Sequence, residues 1–324
     1  MLLQILLALA GLGLLTVAAD HLVLGSSRLA ERLHVSPVVV GVVVIGLGTS
    51  APEFLVSALA AGRGDTGIAV GNIVGSNILN LTLILGIAAL VTPFAVDSAV
   101  TRREVPLAVG AVVAFGVLAY LGVTPATGLV LAAAMAAALY LLLRWSRAAD
   151  NEQLVTEVQD FTAEGGAVVT PAARRTRPWV EPIRTVLGLA GVLGGAQLLV
   201  ANASTIAEDL GVPQVVIGFT LVALGTSLPE LVTTVQAQRR GETDLVVGNL
   251  FGSNLFNSLA GGALVGFATG SAHPAQATAG LLAVMVGTTL LAWALLARRL
   301  RLTRVEGAVL LAAYALTLPL LLTA

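Results

Sequence analysis

Of 324 residues, 57% are hydrophobic and 11% charged, against about 25% charged in soluble domains. A mean hydropathy of +0.94 and repeated apolar runs predict a polytopic helical membrane protein. The net charge of −1 argues against a nucleic-acid partner, and the lack of cysteine excludes disulfides, thiolate metal sites and a cysteine nucleophile.

In chain order, the opening MLLQILLALAGLGLLTVAAD has no basic n-region and no clear cleavage site, so it reads as a first span rather than a signal peptide. Turn and charge clusters then mark ten spans near 3–25, 37–60, 67–91, 105–122, 126–143, 183–205, 214–237, 244–268, 275–297 and 305–323. His21 falls in the first span and His34 and His273 in loops, too far apart to form a ligand cluster; they read as packing or surface residues. All 17 basic residues are arginine, and placing both termini outside the cytoplasm puts 16 of them inside, with Arg63 alone outside. The stretch 144–182, rich in Arg, Glu, Pro and Gly, reads as a cytoplasmic linker between a first five-span repeat (1–143) and a second (183–324). The lysine-free, alanine-rich composition points to a prokaryote, hence its plasma membrane.

The halves are copies. Shifted by 177 residues, 41–80 matches 218–257 without a gap at 18 of 40 positions, and LVLGSSRLAERLHV aligns with LVANASTIAEDLGV. Five is odd, so the second copy must cross in the opposite sense, the inverted-repeat arrangement whose binding sites lie near the bilayer midplane. The expected fold class is therefore all-α and polytopic: ten transmembrane helices in two inverted five-helix repeats, with broken helices at the site.

Identity concentrates on polar intramembrane residues. Glu53 and Glu230 sit inside spans two and seven, where a charge costs at least about 2.5–3.5 kcal/mol and so marks a functional site; the plainer alternative is a protonated glutamate tying two helices together. Pro52 and Pro229 precede them. A proline lacks the amide hydrogen that would satisfy the carbonyl four residues back, so the carbonyls of Gly48 and Gly225 are expected to lose their helical partners. Such broken helices present backbone oxygens to cations. Thr49, Ser50, Thr226 and Ser227 add hydroxyls on the same turns, although singly such groups more often bond their own backbone. Asn72, Ser76 and Asn80, at i, i+4 and i+8, share a helix face that Asn249, Ser253 and Asn257 repeat. Gly71, Gly75, Gly248 and Gly252 read as close-packing surfaces. The donor set is all oxygen, which suits hard cations such as Ca²⁺ and Na⁺ rather than zinc or copper. Two carboxylates would balance one Ca²⁺ or hold two or more Na⁺ with neutral oxygens, so the two loads would compete for one site.

GTSAPE with GNIVGSNILN, and GTSLPE with GNLFGSNLFN, resemble the two alpha-repeats of the cation/Ca²⁺ exchanger superfamily, specifically the prokaryotic Na⁺/Ca²⁺ exchangers. The resemblance implies an antiporter rather than an enzyme, with Ca²⁺ and Na⁺ as cargo, no cofactor and a functional unit complete in one chain. It implies that Glu53 and Glu230 are the central Ca²⁺ ligands and that Thr49 and Thr226 contribute backbone oxygens. Ser50, Ser76, Ser227 and Ser253 would flank Na⁺ sites with carbonyls near Gly46 and Ala223, and Asn80 and Asn257 would line the centre. The first and sixth spans would slide across a core formed by the others. One position departs: several relatives carry an aspartate where this chain has Asn257, which leaves Na⁺, H⁺ or K⁺ open as the counter-ion. An H⁺/Ca²⁺ exchanger is the nearest alternative. A channel fits poorly because the site is complete in one chain, and no GxSxG, His/Cys cluster or phosphate loop supports an enzyme.

Overall fold

The computed structural model describes residues 1–33, 37–164, 179–211, 223–269 and 274–321. These form ten helical segments: α1 (Leu2–Leu33), α2 (37–62), α3 (Thr66–Val91), α4 (Glu104–Leu121), α5 (Pro125–Glu164), α6 (Val180–Asp209), α7 (223–239), α8 (243–268), α9 (Ala279–Arg299) and α10 (Arg304–Leu321). A single turn, Ser98–Arg102, precedes α4. Six of the ten are individually long and apolar enough to cross a membrane, and the bent α2 makes a seventh. Its counterpart α7 follows residues 212–222, where the start of the expected span 214–237 lies outside the described residues.

Local geometry repeats at the 177-residue shift. Both α2 and α7 break at a serine, Ser50 (φ −79°, ψ 3°) and Ser227 (φ −94°, ψ 6°). Each run is followed by a glycine with positive φ, Gly64 at 87° and Gly241 at 75°, a region open to glycine because it has no Cβ. Within α3 and α8 a π turn begins at the matching asparagine, Asn80–Ile84 and Asn257–Gly261. A third π turn, Gly41–Gly46, lies in α2 against α8.

Long-range packing shows the inversion. Helices α1 and α6 lie antiparallel: Gly11 meets Leu199 and Gly195, Gly188 meets Leu22, and Gly25 meets Thr185. A methyl group at Gly11 would stand 2.6 Å from the amide nitrogen of Leu199, and one at the repeat-related Gly188 2.7 Å from that of Leu22. Only glycine permits this backbone approach. Two loop pairings are reciprocal as well. Phe94–Ala95, before α4, pairs antiparallel with Arg301–Leu302, between α9 and α10, while Val123, after α4, bridges Ala275, before α9. The chain is thus an all-α polytopic membrane protein in two inverted five-helix repeats with broken helices.

The most apolar stretch of α3 is 78% buried and those of α1 and α6 are 22% buried, so α3 belongs to the centre and the α1–α6 pair to the periphery. Both peripheral helices are long, at 32 and 30 residues; about 20 residues span a bilayer core, so helices of this length cross at a tilt or protrude. Two polar ties fasten α1 to the arginine-bearing end of α7. Arg240 Nε and Nη2 each donate to Asp20 at 2.7 Å, and Ser27 Oγ donates to Glu242 Oε1 at 2.7 Å. Helix α5 continues to Glu164, into the stretch 144–182 expected to link the two repeats, while 165–178 lie outside the described residues.

Candidate cation-binding site

The two breaks place the carboxylates. Pro52 and Pro229 each fall in the first turn of the resuming helix, Ala51–Gly62 and Leu228–Arg239. A missing amide hydrogen costs least there, because the first-turn donors have no intrahelical acceptor. The proline thus starts a second helix after the serine, with a 49° bend in α2, rather than interrupting a continuous one. Glu53 and Glu230 occupy the same first turns, where the positive end of the helix dipole favours a negative group. Each is 1% exposed.

Hydrogen bonds cross between the repeats. Ser50 Oγ donates to Glu230 Oε1 at 3.2 Å and Ser227 Oγ to Glu53 Oε1 at 3.1 Å. Ser253 Oγ lies 3.3 Å from the Gly46 carbonyl and 3.5 Å from Glu230 Oε1. The expected carbonyl of Gly46 is therefore present in the cluster and shared with Ser253. Thr49 is buried and its hydroxyl donates to its own backbone at Ile45 O, 2.9 Å; it and Thr226 also contact the glutamate of the opposite repeat. Ser76 is buried, but among the described residues no hydrogen bond joins it to either glutamate, unlike its counterpart Ser253. Ala223 begins the four-residue turn Ala223–Thr226 that leads to the second break.

Asn72 and Asn249 do something more specific than line a wall. Asn72 Nδ2 donates to the Glu53 carbonyl at 3.1 Å and to Ser57 Oγ at 2.9 Å. Asn249 Nδ2 reaches the Glu230 carbonyl at 3.4 Å, Thr233 Oγ1 at 3.1 Å and Thr234 Oγ1 at 3.0 Å. Each amide ties the backbone of a glutamate to the hydroxyl one turn further on, and so fixes the resumed helix against α3 or α8.

Three further asparagines link the repeats. Asn80 Nδ2 donates to Asn254 Oδ1 at 3.0 Å, Asn254 Nδ2 to the Asn77 carbonyl at 2.9 Å, and Asn77 Nδ2 to Ser258 Oγ at 2.9 Å. Asn77 and Asn254 were not among the expected site residues because they fall off the i, i+4, i+8 face. Their signal in the sequence was identity in both copies of the GSN motif.

Several buried polar atoms are left without a hydrogen-bond partner: the acceptors Glu53 Oε2, Glu230 Oε2, Asn77 Oδ1, Asn80 Oδ1 and Asn257 Oδ1, and the donor Asn257 Nδ2. The ion pairs among the described residues involve Glu181 and Asp20, and none reaches Glu53 or Glu230. Two dry carboxylates without a basic neighbour are costly. Carboxylate and amide oxygens left without partners are the donor chemistry that a hard cation takes.

A duplicated acidic site buried between oppositely directed repeats is the architecture of a secondary transporter, here one for cations. The chain belongs to the family described as sodium/calcium exchanger protein, which matches residues 3–144 and 182–323. It is 39% identical to a putative antiporter, CaxA, of Alkalimonas amylolytica over 97% of both chains. It is 31% identical to the sodium/calcium exchanger MaX1 of Methanosarcina acetivorans over 78% of this chain and 79% of that one. Among solved structures, the sodium–calcium exchanger NCX_Mj soaked with 2.5 mM Na⁺ and 0.1 mM Ca²⁺ superposes with a TM-score of 0.83 at 32% identity, covering 98% of each chain. The protein is an integral membrane cation/Ca²⁺ exchanger.

Proposed function

We propose that the chain is an antiporter that exchanges Na⁺ for Ca²⁺ by alternating access, with the ions competing for oxygens around Glu53 and Glu230. The observation that carries this reading is the pair of unpartnered, buried carboxylate oxygens, Glu53 Oε2 and Glu230 Oε2, on glutamates that no basic residue pairs with among the described residues. Two carboxylates balance one Ca²⁺, and the same pair serves Na⁺ ions whose further ligands are neutral. In this reading Thr49 and Thr226 add backbone oxygens to the Ca²⁺ shell. Ser50, Ser76, Ser227 and Ser253 bound the Na⁺ positions with the carbonyls of Gly46 and Ala223, and Asn80 and Asn257 face the centre. The functional unit is a single chain in a prokaryotic plasma membrane, with both termini outside the cytoplasm as the arginine distribution favours.

The test is ⁴⁵Ca²⁺ uptake by Na⁺-loaded proteoliposomes diluted into Na⁺-free medium, with Na⁺, K⁺ and pH gradients imposed separately. Uptake that requires internal Na⁺ is the expected result, and uptake driven by a pH gradient and indifferent to Na⁺ overturns it. The second reading, H⁺ or K⁺ as counter-ion, is favoured by one observation: Asn257 is neutral, and both of its side-chain polar atoms are buried and unpartnered.

A further inference from the structure

A groove lies away from the buried carboxylates, where the start of α4 meets the end of α9. Its volume is about 600 Å³, and it is walled by Arg102 and Pro106 on one side and by Trp293, Arg298, Arg299 and Leu300 on the other. Ligand-sized pockets run about 300–1,000 Å³. All three guanidinium groups are exposed, and none makes an ion pair or hydrogen bond among the described residues. The carboxylate of Glu104 lines a separate small pocket with Val42 and Val247 and makes no ion pair with these arginines.

The walls are bolted together. The Phe94–Ala95 and Arg301–Leu302 ladder joins the chain entering α4 to the chain leaving α9, and Val96 N donates to Leu300 O at 2.8 Å. Leu300 closes α9 in the left-handed region (φ 53°, ψ 30°), which is disfavoured for a residue with a Cβ; among the described residues it is the one non-glycine with positive φ. The repeat-related corner, Tyr120–Thr124 with Pro274–Gly280, has a matching bridge but no charged side chain. The charge therefore sits on one face of a duplicated scaffold, the face that the arginine distribution assigns to the cytoplasm.

We propose that this groove binds the headgroup phosphate of an anionic phospholipid. Arginine forks match phosphate oxygens, and basic pockets between membrane helices on the arginine-rich side are suited to such headgroups. The apolar wall selects the lipid over a free anion: Trp293, Pro106 and Leu300 offer nothing to a small hydrophilic ion, whereas tryptophan at the membrane boundary packs glycerol and upper acyl chain. Each arginine near an anionic lipid surface strengthens binding by about fivefold, so three give a preference over zwitterionic lipid on the order of tenfold or more.

The experiment uses the full chain carrying Trp145→Phe and Trp179→Phe, which leaves Trp293 as its one tryptophan. It is reconstituted in phosphatidylcholine containing a small fraction of brominated phosphatidylglycerol or of brominated phosphatidylcholine, and Trp293 fluorescence is read. The expected result is quenching by the anionic lipid at roughly tenfold lower mole fraction. Adding Arg102→Gln, Arg298→Gln and Arg299→Gln should remove that preference while quenching by brominated phosphatidylcholine stays unchanged, which also shows that the variant is folded. Equal quenching by both lipids, or a preference that survives the three substitutions, overturns the proposal. So does reversal of the quenching by millimolar inorganic phosphate, which would make the ligand a free anion.

Discussion

Ser227 donates to Glu53 across 174 residues of chain, and its counterpart Ser50 donates to Glu230 across 180. Each carboxylate is thus held by the other repeat, and neither half of the chain could assemble the site alone. Each bond joins a hydroxyl to a carboxylate in a dry setting, a kind worth about 1.5–3 kcal/mol. Ser50→Ala and Ser227→Ala should each weaken apparent Ca²⁺ affinity by roughly tenfold or more, measured as half-saturation of ⁴⁵Ca²⁺ uptake. If both variants matched the unmodified chain, the crossed bonds would have no part in ion binding.

Removing the charge separates function from folding. Glu53→Gln and Glu230→Gln replace a buried carboxylate without a basic partner by a neutral amide, which relieves a desolvation cost. Thermal stability without Ca²⁺ should hold or rise. A ligand at 100 times its Kd stabilises its protein by about 2.7 kcal/mol, and this Ca²⁺-dependent gain in Tm should vanish together with transport. A variant that kept a normal Ca²⁺-dependent Tm shift would place the ion elsewhere.

Asn249 acts through its neighbours, tying the Glu230 backbone to Thr233 and Thr234. Asn249→Leu leaves those groups buried without the donor, at about 1–3 kcal/mol each for a lost buried partner. Both stability and Ca²⁺ affinity should fall, and Asn72→Leu should behave the same way in the first repeat. Loss of affinity with unchanged Tm would instead point to direct ligation.

The tie between Asp20 and Arg240 is partly exposed, at 39% and 32% of the two side chains, and a pair of that kind contributes roughly 0–1 kcal/mol. It should act as a bias, not a lock. Asp20→Asn and Arg240→Gln should each shift the ratio of apparent Ca²⁺ affinities at the two membrane faces by at most about fivefold, and the double variant no further. The matching positions in the other repeat are Gln197 and Arg63. Gln197→Asp, which supplies the missing charge there, should shift the ratio the opposite way. Sided ⁴⁵Ca²⁺ assays in oriented vesicles read both effects.

Asn257→Asp would add a third carboxyl to the proposed two-carboxylate site. The expected outcome is altered dependence on Na⁺, K⁺ or pH in the exchange assay; an unchanged profile would mean that this position does not set coupling.

Much of this was legible in the sequence, because burying charge in a membrane is expensive and so leaves a conspicuous mark. The glutamates, the prolines before them and the 177-residue repeat could all be read from residue type and spacing. The consequences of three-dimensional geometry could not. The π turns at Asn80 and Asn257 have no residue signature, and Asn77 and Asn254 lie off the face that regular helical spacing predicts. The roles of Asn72 and Asn249 depend on which carbonyl lies opposite, which no spacing rule gives. Helix α5 runs on to Glu164 within the stretch expected to link the repeats, and composition alone does not distinguish a solvated helix from a coil.

The contact of Gly11 with Leu199 and of Gly188 with Leu22 leaves no room for lipid between α1 and α6. Backbones interlocked at that distance cannot slip past each other without a clash, so in the exchange proposed above any sliding of α1 would have to carry α6 with it. Moved as a pair, the two helices would uncover the core at one face while covering it at the other. Two openings at once would be a leak, and under that proposal the glycine seam would keep them mutually exclusive.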